Sequence, residues 1–356
     1  MYTLEQLGWG PHFEPLAVEL TEELIPARVA EEQRGAYLLL TESGPLEATV
    51  TGRLMHATAA REDYPAVGDW VLARKLPGEE RAVIHRTLPR RTRLSRKVAG
   101  TRVDEQIIAA NVDTVFLVSS LNAELNLRRI ERYLSVIWES GATPVIVLNK
   151  ADLAENSQML MTGVEGIAPG VDLYTTSAAT GEGVDSLRRY LEVGKTVAFI
   201  GSSGVGKSSL VNRLLAGEVM AVNEISNYDK GRHTTTSRQM LTAPCGGLII
   251  DTPGLRELGL WDADAGLGMA FSDVERLAGA CAFGDCQHRS EPGCAIQAAL
   301  DSGELGHDRL ESYRKLQREQ LFIESKKNPR LREEQHRKWK QISKANRKRT
   351  RASSRW

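Results

Sequence analysis

The segment Gly201-Ser202-Ser203-Gly204-Val205-Gly206-Lys207-Ser208 has the form G-x-x-x-x-G-K-S, and Ser209 follows it. Glycines at these positions let backbone N–H groups converge on phosphate oxygens, and a helix starting at the end of the loop adds partial positive charge there. Lys207 can reach β- and γ-phosphates, and the Ser208 hydroxyl can ligate Mg²⁺. A second group is Asn149-Lys150-Ala151-Asp152. The Asp152 carboxylate can accept two hydrogen bonds from guanine N1–H and its 2-amino group. Adenine offers neither donor, and unpaired buried polar groups are how a site rejects the wrong base. The Lys150 stem can lie along the base, and Asn149 can brace the loop. In Thr176-Ser177-Ala178 the Ala178 N–H could meet guanine O6. In Asp251-Thr252-Pro253-Gly254, Asp251 is suited to hold Mg²⁺, directly or through water, and the Gly254 N–H to touch the γ-phosphate. Gly231-Arg232-His233-Thr234-Thr235-Thr236 reads either as a polar loop or as a switch whose threonine, taken as Thr235, completes the Mg²⁺ shell.

A different chemistry sits at Cys281, Cys286, His288 and Cys294. Three thiolates and an imidazole in one short loop suit a closed tetrahedral Zn²⁺ site, structural because every position is filled by protein. With no secretory pattern at the N-terminus, clustering favours metal over disulfides. Cys245 stands apart and is expected to be a small buried hydrophobe.

The elements that must carry these groups follow from periodicity. Thr196 to Ile200 is a continuous apolar run, and Leu210, Val211, Leu214 and Leu215 share a helix face, so the first motif lies between a buried strand and a helix. Val112 to Ser119, Pro144 to Leu148, Asp172 to Thr176 and Gly247 to Ile250 are further strands. Leu127 to Ser140, Val184 to Leu191, Asp273 to Ala280 and Leu305 to Phe322 are helices, the last with Leu310, Tyr313, Leu316 and Leu321 near one face. Strand–helix alternation implies a parallel sheet covered on both sides. Upstream, Ala36 to Thr41, Leu46 to Arg53, Val67 to Arg74 and Arg81 to Arg86 are short strands between turns, as in a small closed barrel such as an OB-fold, a nucleic-acid binder or a plain adaptor. Residues 86–102 hold Arg86, Arg90, Arg91, Arg93, Arg96, Lys97 and Arg102 and read as a basic hinge, open to an RNA contact or to solvent.

The fold class is therefore multidomain: a lead-in (1–24), an all-β OB-like barrel (25–95), an α/β P-loop domain (96–265), a mostly helical zinc-binding domain (266–325) and a basic helical or disordered tail (326–356). The chain of 356 residues has zero formal net charge, yet Lys326 to Trp356 holds 13 Lys or Arg against two Glu. Such a tail fits an anionic partner, nucleic acid before membrane, or a solvated surface. No apolar run approaches the roughly 20 residues of a membrane span, so a cytoplasmic location is expected.

The order of the motifs is informative. Ordinary GTPases run P-loop, switch threonine, D-x-x-G, N-K-x-D, S-A. Here N-K-x-D and S-A come first, so the order is circularly permuted, and D-x-x-G leads straight into the cysteine module. This order, with Gly201 to Ser209, Gly231-Arg232-His233-Thr234-Thr235-Thr236, Asp251-Thr252-Pro253-Gly254, Gly68-Asp69-Trp70-Val71 and the Cys281/Cys286/His288/Cys294 spacing, resembles the RsgA (YjeQ) family of bacterial ribosome-associated GTPases. The resemblance covers nearly the whole chain. It implies an OB-fold domain, a permuted GTPase domain and a zinc domain. It also implies late maturation of the small ribosomal subunit, with hydrolysis stimulated by that subunit, contact with its rRNA, and a monomer.

The expected reaction is in-line attack of water on the γ-phosphate of GTP, with Lys207 and Mg²⁺ stabilising charge. Leu255 stands where Ras-like enzymes carry a water-orienting glutamine. His233 is the candidate replacement, either as a catalytic group or as a loop support. The alternative function is a nucleotide-gated RNA-binding module in which hydrolysis is incidental. Asp152 disfavours an ATPase.

Overall fold

In the computed structural model, residues 1–19, 23–33, 35–57, 61–97, 105–122, 125–154, 157–216, 238–251 and 264–327 are described. The switch residues 231–236, Thr252 to Leu255 and the tail beyond 327 lie outside them.

The N-terminal strands are β1 (Ile25–Gln33), β2 (Ala36–Thr41), β3 (Gly44–Val50), β4 (Trp70–Lys75) and β5 (Arg81–Thr87), with helix α1 (Gly52–Ala57) between β3 and β4. Antiparallel pairs β1–β2, β2–β3, β4–β5 and β1–β4 and a parallel pair β3–β5 close the ring. Closure removes exposed strand edges. Val29, Leu39, Leu46, Val71 and Ile84 fill the interior. The expected strand Leu46 to Arg53 ends at Val50, because Gly52 already opens α1. β1 is a strand that pattern reading left unnamed.

Up to Lys97 the basic stretch is not a hinge, and its residues 98–102 lie outside the described ones. Arg93–Lys97 forms β6, paired antiparallel with β7 (Glu105–Ala110). Two arginines of the stretch are already engaged. Arg90 forks onto Asp69, with Nε to Oδ1 and Nη2 to Oδ2 both at 2.8 Å, and Arg91 pairs with Asp113 at 2.7 Å. Burial pushes the Asp69 carboxyl up from its ordinary value, and Arg90 works against that shift. Gly68, at φ 94°, packs so closely that a Cβ would lie 2.0 Å from the Ala110 carbonyl oxygen, so only glycine fits there. Fully buried Arg28 donates to the carbonyls of Leu7, Gly68 (3.3 Å) and Asn111 (3.0 Å). Trp70 stacks edge-on against Trp9 at 4.8 Å. The Gly68-Asp69-Trp70 segment thus bonds lead-in, barrel and the following sheet into one packed unit.

The sheet that follows has strands β8 (Thr114–Ser120), β9 (Thr143–Asn149), β10 (Asp172–Thr175), β11 (Thr196–Ile200), β12 (Gln239–Thr242) and β13 (Leu248–Asp251). Their order is β10-β9-β8-β11-β13-β12, parallel except for β12, which meets barrel strand β1 at Glu31 and Gln239. Strands β8, β9 and β11 are buried almost throughout, as parallel strands covered on both faces must be. Helix α2 (Leu127–Glu139) is capped by the Asn126 side chain, and it buries Ile130, Tyr133, Leu134 and Ile137 at helical spacing. Helix α3 (Ser157–Ile167) joins α2 on one face of the sheet, while α4 (Lys207–Leu215) and the expected helix at Val184–Tyr190, which is of the 3₁₀ type, cover the other face through Leu210, Leu214 and Leu187.

The C-terminal part is helical: α5 (Asp264–Ala270), α6 (Ser272–Gly279), α7 (Ala295–Ser302) and α8 (His307–Lys327). Leu310, Tyr313, Leu316 and Ile323 are buried, but Leu321 is 54% exposed, because the packed stripe passes through Gln320 instead. Cys245 is also exposed rather than buried, since it lies in the tight turn between β12 and β13. Residues 95 and 96 lie inside β6, 265 and 266 inside α5, and 325 and 326 inside α8, so regular elements run through three of the four expected divisions.

Candidate functional site

Because β9, β10, β11 and β13 are parallel, their carboxyl ends open on one edge of the sheet, where ligands gather in such folds. Asn149 ends β9, Thr176-Ser177-Ala178 follows β10, the glycine loop follows β11, and Asp251 ends β13. Four separate sequence motifs therefore meet at one rim.

Asn149, 1% exposed, joins three of them. Its Nδ2 donates to the Val205 carbonyl of the glycine loop at 2.8 Å. Its Oδ1 accepts from Ala178 N–H at 2.9 Å and from Thr176 Oγ1 at 3.2 Å. Gly206, at φ 95°, is obligatory beside it: a Cβ there would lie 2.2 Å from Asn149 Nδ2. Lys150 adopts a left-handed φ of 66°, which turns the chain into the short 3₁₀ helix carrying Asp152. The loop is fixed by Ala151 N–H donating to the Thr176 carbonyl at 3.0 Å. Asp152 is exposed at the rim, and Ser177 is buried with its Oγ accepting from Thr180 N–H at 3.1 Å. The Ala178 N–H, expected to meet guanine O6, is already given to Asn149, so a base has to share or displace that bond.

In the glycine loop, Gly201 (φ 145°), Gly204 (φ 82°) and Gly206 hold left-handed conformations that turn the chain sharply into α4. Ser203, Ser208 and Ser209 are exposed on the loop and the first turn of α4. Lys207 folds back, its Nζ donating to the carbonyls of Gly201 (2.8 Å) and Ser202 (2.7 Å). Burial holds its ammonium below the ordinary lysine value, and the Asp251 carboxylate opposes that shift. Lysine and aspartate thus share the position where phosphate and Mg²⁺ would bring opposite charges. His233, Thr235 and Gly254 lie outside the described residues. Arg129 on α2 is a contact that motif reading missed: its Nη1 donates to Ser202 Oγ at 2.8 Å.

The second site is the cysteine loop. The ligand atoms of Cys281, Cys286, His288 and Cys294 all lie within 4.8 Å of one another. Cys281 Sγ is 3.4 Å from His288 Nδ1 and 3.9 Å from Cys294 Sγ, and Cys294 Sγ is 3.6 Å from that Nδ1. A tetrahedral ion with metal–sulfur bonds of about 2.3 Å has ligand–ligand edges of about 3.5–3.8 Å, so the donor set fits a metal. His288 reaches this geometry through a left-handed φ of 55°, and its carbonyl accepts from Gln297 and Arg314, each at 2.8 Å. Cys294 also caps α7.

A phosphate loop, a guanine-type N-K-x-D loop and a permuted strand order on a parallel sheet, preceded by a β-barrel, define a circularly permuted P-loop GTPase with a C-terminal Cys₃His module. The RsgA GTPase family model matches residues 87–261. The chain is 46% identical to the small ribosomal subunit biogenesis GTPase RsgA of Opitutus terrae, covering 99% of this chain and 100% of that one. It is 47% identical to RsgA 2 of Lactiplantibacillus plantarum over 85% of this chain and 86% of that one. Among solved structures, YjeQ from Thermotoga maritima aligns with a TM-score of 0.63 at 29% identity, over 84% of this chain and 99% of that chain. YloQ, described as a circularly permuted GTPase, shares the fold with a TM-score of 0.60 at 23% identity, over 87% of this chain and 98% of that chain. The chain belongs to the RsgA GTPase family, whose activity is GTP hydrolysis.

Proposed function

We propose that this protein hydrolyses GTP to GDP and phosphate while bound to the small ribosomal subunit, acts in late maturation of that subunit, and turns over faster when bound. The observation that carries the reading is the Asn149 side chain, whose three hydrogen bonds tie the N-K-x-D, S-A and glycine loops into one pocket. In it Asp152 reads the guanine edge, Lys150 lies along the base, and Ser177 and Ala178 close the O6 side. The backbone of Gly201 to Ser209 cradles the phosphates. Ser208 and Thr235, with Asp251 nearby, would hold Mg²⁺, which would supply neutralising charge to the phosphates. Lys207 leaves the loop carbonyls for those oxygens and stabilises the charge that develops there. Gly254 touches the γ-phosphate, and His233 places the attacking water.

The partner reading draws support from a cleft of about 810 Å³ between the cysteine loop and α8, lined by Arg128, Arg289, Arg314, Lys315 and Arg318 against Glu311 alone. Such a surface suits a phosphate backbone, here rRNA. The relatives' names, small ribosomal subunit biogenesis GTPase, point the same way. The Cys₃His site takes one structural Zn²⁺, and the protein works as a cytoplasmic monomer. Among the described residues no helix is long and apolar enough to cross a membrane. The test is GTP turnover with and without purified small subunits, with co-sedimentation in GTP and GDP. Stimulation and GTP-favoured binding are expected. An unchanged rate with subunit bound would leave the RNA-binding module as the better description.

A further inference from the structure

Arg129 is one of three arginines near the start of α2, and the three face different neighbours. Arg129 Nη1 donates to Ser202 Oγ at 2.8 Å, on the same residue whose carbonyl receives Lys207 Nζ at 2.7 Å. Arg128 faces α8, with Asp308 at 3.3 Å and Glu311 at 3.8 Å. Arg132 forks onto Glu319 of α8 at 2.9 and 2.7 Å. Between them, buried Glu131 accepts from Arg309 Nη1 at 2.7 Å, and Arg309 also donates to Asp273 of α6 at 2.8 Å. At the other end of α2, Glu139 accepts from Gly266 N–H of α5 at 2.9 Å. Gly266 sits so close that a Cβ there would lie 2.0 Å from the Ser135 carbonyl oxygen. Helix α2 is therefore gripped along its length by α5 and α8, with α6 tied in only through Arg309, while one exposed side chain of its first turn, Arg129, bonds the phosphate loop.

We propose that Arg129 is a positioning residue of the nucleotide site, and that α2 carries to it the placement of the C-terminal helices. The pocket then has a mechanical line through α2 in addition to the chain connection through residues 252–263. Packed interfaces of this kind move as units, so a partner that shifts α8 also shifts the hold on Ser202. Ser202 in turn sets where Lys207 rests before it meets phosphate. The inference rests on the GTP reading given above. The test measures the coupling through α2 directly, as a double-mutant cycle.

The experiment titrates a fluorescent GTP analogue into the full-length protein and measures turnover, with thermal unfolding midpoints as a folding check. Arg129→Ala is expected to weaken GTP binding by roughly 3- to 10-fold, the scale of one charge-assisted bond at a partly solvated site. Arg129→Lys, which keeps the charge and one donor, should recover part of that loss. Glu319→Arg sets like charges together across α2 and α8. It should weaken GTP by roughly 2- to 5-fold in the parent protein and add nothing in the Arg129→Ala background. The swap Arg132→Glu with Glu319→Arg should restore binding. Parent-like affinity in Arg129→Ala overturns the positioning role. Independent, multiplying effects of Arg129→Ala and Glu319→Arg overturn the line through α2. A parent protein that fails to bind GTP overturns the pocket reading itself, and this inference with it.

Discussion

Asn149→Ala removes the one side chain that three loops share. It breaks bonds of 2.8 Å to Val205, 2.9 Å to Ala178 and 3.2 Å to Thr176, at a residue 1% exposed. A typical intramolecular hydrogen bond contributes about 0.5–1.5 kcal/mol net, so three amount to about 1.5–4.5 kcal/mol. The bonds join loops rather than residues within one element, so most of the loss should appear as pocket disorder and hence as lost affinity. A loss of about 2 kcal/mol means about 30-fold weaker GTP binding. Asn149→Asp makes a sharper comparison. It keeps an acceptor for Ala178 N–H and Thr176 Oγ1, but turns a carboxylate oxygen towards the Val205 carbonyl, where repulsion replaces a bond. It should therefore bind no better than Asn149→Ala despite its near-identical shape. Fluorescent GTP and GDP titrations, with thermal unfolding in each nucleotide, read both effects. Affinity within twofold of the parent in Asn149→Ala, or clearly tighter binding in Asn149→Asp than in Asn149→Ala, would refute the reasoning.

Other substitutions test other parts of the molecule. Lys207→Ala should abolish measurable hydrolysis and weaken nucleotide binding, since no other described side chain brings a cation to the Gly201 and Ser202 carbonyls; a steady-state phosphate-release assay decides it. Metal analysis of purified protein should give about one Zn per chain, and Cys294→Ser, which removes a thiolate ligand but leaves a hydroxyl able to cap α7, should lower the unfolding temperature of the C-terminal helices through the lost metal alone. Arg90→Ala should lose about 3–5 kcal/mol in a denaturant titration, because it leaves the fully buried Asp69 carboxylate without its partner.

Much of the site was legible because its chemistry is local. The strand, loop and helix around Lys207 follow from eight consecutive residues and their flanks, and Thr196–Ile200 forms the strand expected. The parallel sheet followed from the alternation of strand and helix patterns along the chain. Side chains whose partners are distant in sequence were not legible. Arg90 read as a hinge cation open to RNA or to solvent because its carboxylate, Asp69, lies 21 residues upstream. The β6–β7 hairpin hid behind the same charges, since Arg93, Arg96 and Lys97 mask the buried Leu94 that makes β6 a strand. Arg129 belongs to no motif, and its contact with Ser202 spans 73 residues. Leu321 matched an apolar stripe in composition but lies off the buried face that Gln320 and Ile323 occupy.

The central claim is that Asp152, carried on the 3₁₀ turn after Lys150, reads guanine in the pocket whose phosphates lie at Lys207. Competition of GTP and XTP for the parent and for Asp152→Asn tests it most directly, because xanthine offers an oxygen where guanine carries its amine. The account predicts that the variant loses GTP affinity and prefers XTP, with the parent preferring GTP. An Asp152→Asn protein that still binds GTP as tightly as the parent and ignores XTP would contradict it.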